Sequence, residues 1–169
     1  SLDRAGIFGS ERVSAYLEEL LERYIGRSPL LSELELPFSC VAFDIGTGRP
    51  ERGGREAAAK RIFSEKRSPG VRLVDAIAAS MSIPGTFPPK RIDDRYYIDG
   101  AIVEHLPVVT AFDDWQSSRR LFRKRTVVIA SDLGYAGRAP RGETLANPLA
   151  VVRYSNAIQA RATTIYSLL

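Results

Sequence analysis

The sequence is poor in cysteine and histidine, the residues that most often build disulfides and metal centres, and has no long apolar run. Its 169 residues include one cysteine, one histidine, one methionine and one tryptophan. No apolar run reaches the roughly 18 residues that a helix needs to cross a bilayer, so no transmembrane helix is expected. Ser1-Leu2-Asp3-Arg4-Ala5-Gly6 has no apolar stretch behind a basic start, and no signal peptide is expected there. A single thiol, Cys40, can neither close a disulfide within the chain nor build a thiolate metal site. Its place inside the apolar run Phe38-Ser39-Cys40-Val41-Ala42-Phe43 predicts a buried, inert side chain rather than a nucleophile. The chain also lacks internal repeats and low-complexity segments.

What is present is a 44% apolar composition, enough for one domain with a core or part of one. The net charge is +4, and part of the basic excess is gathered in Arg119, Arg120, Arg123, Lys124 and Arg125. Such a cluster is most simply a solvated face. Its functional reading is contact with an anionic membrane surface, where each basic group contributes about 1 kcal/mol. No aromatic-interleaved strand or recognition-helix pattern surrounds it, which argues against nucleic acid as a partner.

Periodicity divides the chain into alternating elements. Val13, Tyr16, Leu17, Leu20, Leu21 and Tyr24 recur at three-and-four spacing behind Ser10 and ahead of Gly26, predicting an amphipathic helix over Ser10 to Tyr24. Phe38 to Phe43 is too short for a helix and rich in strand formers, so it predicts a mostly buried strand of the kind found in parallel sheets. Arg49 to Gly54 reads as a loop. The alanines that follow favour a helix by propensity, but Lys60 to Ser64 is assigned to a strand.

Leu73, Ala76, Ile77 and Ser80 share one face of a predicted helix over Leu73 to Ser80, which must stop before Pro84. Arg91-Ile92 and Tyr96 to Ile98 flank Asp93-Asp94, a pair suited to a tight hairpin turn. Leu106-Pro107 opens a helix to about Trp115, Thr126 to Ala130 reads as a second buried strand, and Asn147-Pro148 starts a last helix to Leu169. The alternation of strands and helices makes the class α/β.

Tyr96-Tyr97-Ile98-Asp99-Gly100-Ala101 carries the chemistry. A β-branched and aromatic run delivers a carboxylate into a glycine turn, at the strand end where open α/β sheets place their sites. Glycine there permits close approach of another group. On its own, Asp99-Gly100 is also a common turn pair. An aspartate-based phosphatase motif would need a second Asp two positions from the first, and Tyr97 and Ala101 occupy those places.

The segment before it changes the balance. The Pro37-Phe38 strand, Asp44 and Gly48, then Asp75-Ala76, Ala79-Ser80, Ile83-Pro84-Gly85 and Phe87-Pro88-Pro89, with Asp99-Gly100-Ala101 and Leu106-Pro107-Val108 and a continuation through Thr126 to Asp132, resemble the second half of a patatin-like phospholipase domain. The resemblance implies a three-layer α/β/α fold with a mostly parallel central sheet, incomplete in this chain. It also implies a lipid acyl hydrolase that uses a Ser-Asp dyad and no cofactor. By that resemblance Asp99 is the general base, Gly100 and Ala101 complete its motif, and Ile83 and Phe87 contribute to the acyl pocket.

The nucleophile is the missing part. In similar proteins it lies in a Gly-x-Ser-x-Gly elbow preceded by a glycine-rich oxyanion loop, and neither pattern occurs here. Residues 1–169 are therefore expected to be the C-terminal portion of a single patatin-like domain, its N-terminal part truncated, separate or cleaved. Such a piece should expose apolar sheet surface and be inactive on esters by itself. The expected partners are a lipid or other acyl ester, the N-terminal part of the domain and an anionic membrane surface. A cytoplasmic, bacterial protein with peripheral membrane contact is the expected setting.

Three smaller readings complete the site. His105 is a polar residue beside the site loop, since a triad would still lack its nucleophile. Ser80 and Ser82 are hydrogen-bonding helix-end residues. Asp93 and Asp94 sit in an exposed turn with no His or Cys beside them, which argues against a metal. The alternative function is a non-catalytic membrane- or protein-interaction module that keeps the patatin fold.

Overall fold

Helix α1 (Ser10–Ile25) forms where the three-and-four spacing places it, and it ends at Gly26, whose φ of 78° is the left-handed cap conformation that glycine adopts without strain. Gly26 N closes the last turn on Glu22 O at 2.9 Å. The computed structural model of the chain describes residues 10–47 and 59–116. Leu17, Leu20 and Leu21 are half-buried, but Tyr16 and Tyr24, which share the predicted apolar stripe, are 61% and 77% exposed. A phenol carries its own polar tip, so spacing alone does not commit a tyrosine to the core.

Among the described residues the other α-helices and strands are β1 (Ser39–Asp44), β2 (Ala59–Ser64), α2 (Leu73–Ser80), β3 (Lys90–Ile92), β4 (Arg95–Asp99) and α3 (Val108–Gln116). Two compact units divide the chain, Ser1–Gly100 and Ala101–Leu169. In the first, four strands form one sheet in the order β2-β1-β4-β3. Every pairing is antiparallel: Ser39 opposes Ser64 between β1 and β2, Ala42 opposes Asp99 between β1 and β4, and Ile92 opposes Arg95 between β3 and β4.

The class is mixed α/β, as expected, but the expected mostly parallel sheet is overturned among the described residues. The reason is physical. Adjacent side chains in a strand point to opposite faces, and Val41 (5% exposed) and Ala42 (0%) are both buried. The apolar run of β1 therefore reported burial on two faces correctly, and burial carries no information about strand direction.

One face of the sheet packs on α2. Ala42, Phe63 and Tyr97 from the strands meet Leu73, Ala76 and Ala79 from the helix, with Leu31 completing the cluster. Phe63 and Tyr97 touch edge to face, with ring centroids 5.1 Å apart. Two alanines at the contact let α2 lie close to the strands. Across the top of this packing, Arg72 pairs with Glu18 and Asp75, and Lys90 Nζ reaches Asp75 at 2.8 Å and Ser14 Oγ at 3.1 Å. This network ties α1, α2 and β3 together.

Asp93 takes a φ of 55° in the hairpin between β3 and β4. The alanine-rich approach to β2 did not extend a helix into it, because Ile62, Phe63 and Ser64 bury their side chains in the sheet. In the second unit, the Glu104 carboxylate accepts Thr110 N at 3.2 Å and Thr110 Oγ1 at 2.5 Å, and so satisfies a first-turn donor of α3. The predicted loop at 49–54, the strand at 126–130, the helix at 147–169 and the basic cluster at 119–125 lie outside the described residues.

Cys40 is half-buried, with its sulfur donating to Ala76 O at 3.4 Å. Burial pushes the thiol up from its ordinary 9.0 to about 12. Because the folded thiol keeps its proton where an unfolded one releases it, its stabilising contribution is whole below pH 9 and is lost as pH rises toward 12. At pH 8, an aromatic disulfide reagent should label native Cys40 on the order of 100-fold more slowly than the urea-unfolded chain. Equal rates would refute the inert-thiol reading.

Candidate active site

Strand β4 ends at Asp99, a half-buried residue opposite Ala42 on the face that packs on α2. The chain turns at once through the short 3₁₀ segment Gly100–Ile102. Three backbone constraints fix this corner. Asp99 N donates to Ser82 O at 3.0 Å. A Cβ built on Gly100 would lie 2.1 Å from Val41 O and 2.4 Å from Val41 C, so only glycine fits. Val41 itself is held in β1 by pairing with Ile62.

The helix end supplies the rest. Ser80 Oγ donates to Val41 O at 2.8 Å, and Ser82 Oγ donates to Ala78 O at 2.8 Å. Both hydroxyl protons are thus given to backbone carbonyls, as expected for helix-end serines, and neither hydroxyl is offered as a nucleophile. Past them, Thr86 N and Phe87 N bond to Ile83 O at 3.0 and 2.9 Å, and Gly85 takes a φ of 78°. The Ile83-Pro84-Gly85 stretch is therefore a built turn rather than a slack linker.

Of the apolar residues assigned to a pocket, Phe87 is half-buried and lines a small open pocket with Val13, Ala78, Met81, Ser82 and Lys90. Ile83 is 39% exposed and does not line it. His105 is exposed, and Asp93 and Asp94 are exposed in their hairpin turn. Among the described residues no group of three or more His, Cys, Asp or Glu could hold a metal ion. No helix among them is long and apolar enough to cross a membrane.

Sequence reasoning counted Asp44 among the matching residues but missed what this second carboxylate does at the other end of the β1–β4 pairing. Asp44 is buried, accepts Gly46 N at 2.8 Å through Oδ1, and accepts Arg95 Nε at 2.6 Å through Oδ2. Ile45 N and Tyr96 N close the neighbouring backbone on Tyr96 O and Gly46 O at 2.9 and 2.8 Å. Tyr97 lies opposite Asp44, and its phenol is raised above its ordinary 10.0, first by burial and then by the Asp44 charge. Part of this was open to the sequence: Asp followed two residues later by Gly is the pattern of a side-chain-closed turn.

The arrangement can present a carboxylate at a fixed strand end beside a residue without a side chain. That suits proton transfer to or from a hydroxyl brought up to it. The family model for patatin-like phospholipases matches residues 11–112, more than half of the chain and all of this corner.

Proposed function

Since the chain belongs to the patatin-like phospholipase family, a family of lipid acyl hydrolases, we propose that Asp99 is the general base of a Ser-Asp dyad. The supporting observation is the Asp99–Gly100 corner, seated against Val41 O with no room for a side chain and pinned by Ser82 O. The nucleophile comes from a segment outside this sequence, which has no Gly-x-Ser-x-Gly elbow. Residues 1–169 are then the C-terminal portion of one three-layer domain, and the described antiparallel sheet belongs to its central sheet.

In the reaction, the serine oxygen bonds to the acyl carbon while its proton passes to an Asp99 carboxylate oxygen. Collapse of the tetrahedral intermediate breaks the bond to the leaving alcohol, which departs with that proton. Water then attacks the acyl-serine, again giving a proton to Asp99, and serine leaves reprotonated. No histidine takes part. Phe87 lines the acyl side, Ile83 adds apolar surface outside the small pocket that Phe87 lines, and Arg119, Arg120, Arg123, Lys124 and Arg125 contact anionic headgroups.

Purified alone, the chain is expected to leave p-nitrophenyl and phospholipid esters intact, while the domain completed with an elbow-bearing segment hydrolyses them. Turnover by the chain alone would overturn the division of the dyad. A completed domain that is folded, carries the elbow and stays inactive would favour the interaction-module alternative.

A further inference from the structure

The end of α2 and the residues just past it reach the Asp99–Gly100 corner by two routes. Ser82 O accepts Asp99 N at 3.0 Å, and Ser80 Oγ donates to Val41 O at 2.8 Å. Val41 O is the same atom that a Cβ on Gly100 would meet at 2.1 Å. The Ser80 hydroxyl therefore holds the oxygen against which the corner rests. Its own segment is rigidly continued from the helix, because Met81 N bonds to Ile77 O at 3.0 Å and Ser82 Oγ to Ala78 O at 2.8 Å. Ala76 and Ala79, each 0% exposed, anchor that helix in the core.

We propose that Ser80 is a positioning residue for the base, a role that rests on Asp99 being that base. Its hydroxyl sets the direction of the Val41 carbonyl, the carbonyl sets the backbone of Gly100, and Gly100 sets where the Asp99 carboxylate points. Proton transfer needs heavy atoms within about 2.6–3.2 Å. A displacement of about 1 Å can lower turnover roughly 100-fold. A hydroxyl that acts through a backbone carbonyl thus controls the chemical step.

The test uses the completed, elbow-bearing domain and compares Ser80→Ala, Ser80→Thr, Asp99→Asn and the Ser80→Ala/Asp99→Asn double variant on one ester, with far-ultraviolet circular dichroism reporting the fold. Ser80→Ala should lower kcat by about 10- to 100-fold with KM within about twofold, and Ser80→Thr, which keeps the hydroxyl, should recover most of that loss. In the Asp99→Asn background, Ser80→Ala should change nothing further, because it acts only through the carboxylate.

Near-normal turnover by Asp99→Asn would sink the base and leave Ser80 nothing to position. Loss in Asp99→Asn with a neutral Ser80→Ala would keep the base and overturn the positioning role. An equal loss from Ser80→Ala in both backgrounds, or failure of threonine to rescue, would likewise reduce Ser80 to general packing. Should the Asp99→Asn variant show no measurable turnover, the kcat–KM split and the threonine rescue decide between these outcomes. Should Ser80→Ala fail to fold, Ser80→Cys, of similar size and a weaker donor, takes its place with the same expected split.

Discussion

Asp99→Asn in the completed domain is expected to lower ester turnover by about three to four orders of magnitude while leaving the fold intact. Asparagine matches aspartate in shape but cannot accept the serine proton, so the loss falls on the chemical step. The fold should survive because asparagine keeps the main-chain anchors of this residue: its N–H bonds to Ser82 O, and its place in β4 follows from pairing with β1. The measurement is kcat and KM on a soluble ester, beside the thermal midpoint of the same preparation. A midpoint near that of the parent with turnover reduced a thousandfold or more supports the base. Turnover within about tenfold of the parent would refute it, since general-base removal rarely has so small an effect.

The second large effect is expected next door and is opposite in kind. Gly100→Ala should destabilise the domain by about 3 kcal/mol or more, read as a fall in the urea midpoint at constant slope. Overpacking is tolerable when a flexible side chain can yield. Here the atoms met are Val41 O and Val41 C, at 2.1 and 2.4 Å, and these belong to an inner strand of the sheet. Relief requires β1 and β4 to part at the Val41–Gly100 end. Gly70→Ala is the matched control, because a Cβ there meets nothing within 4 Å. Its effect should stay within about 0.5 kcal/mol. Equal midpoints for the two variants would show that the corner is slack. The pair Asp99→Asn and Gly100→Ala would then separate chemistry from placement: the first folded and inactive, the second unstable.

How much of this was legible in the sequence depends on the distance over which each feature is encoded. Helix α2 could be read to its ends, since Leu73, Ala76, Ile77 and Ser80 share a face and Pro84 forces a stop. The hairpin was equally plain, because Asp93 carries its own tolerance for a positive φ. Strand direction was not, because Cys40 to Phe43 would look the same in either sense and the partners of β1 lie in other parts of the chain. The Asp44–Arg95 pair escaped for the same reason: each residue is locally a common polar one, and only the β1–β4 register brings them within 2.6 Å. At the site, the strand-to-glycine transition pointed to Asp99. The reason that Gly100 must be glycine lies in the carbonyl of Val41 and could be seen only in the folded chain.

That carbonyl has a consequence for which positions are free to change. It is a main-chain atom, so no substitution at position 41 can delete it, and swaps among small β-branched residues there should leave the corner much as it is. The genetic burden of keeping the geometry falls instead on its two neighbours, the hydroxyl of Ser80 that bonds to it and the absent side chain of Gly100 that makes room for it. In a library of variants, tolerance should be broad at 41 and narrow at 80 and 100, although all three meet at one oxygen.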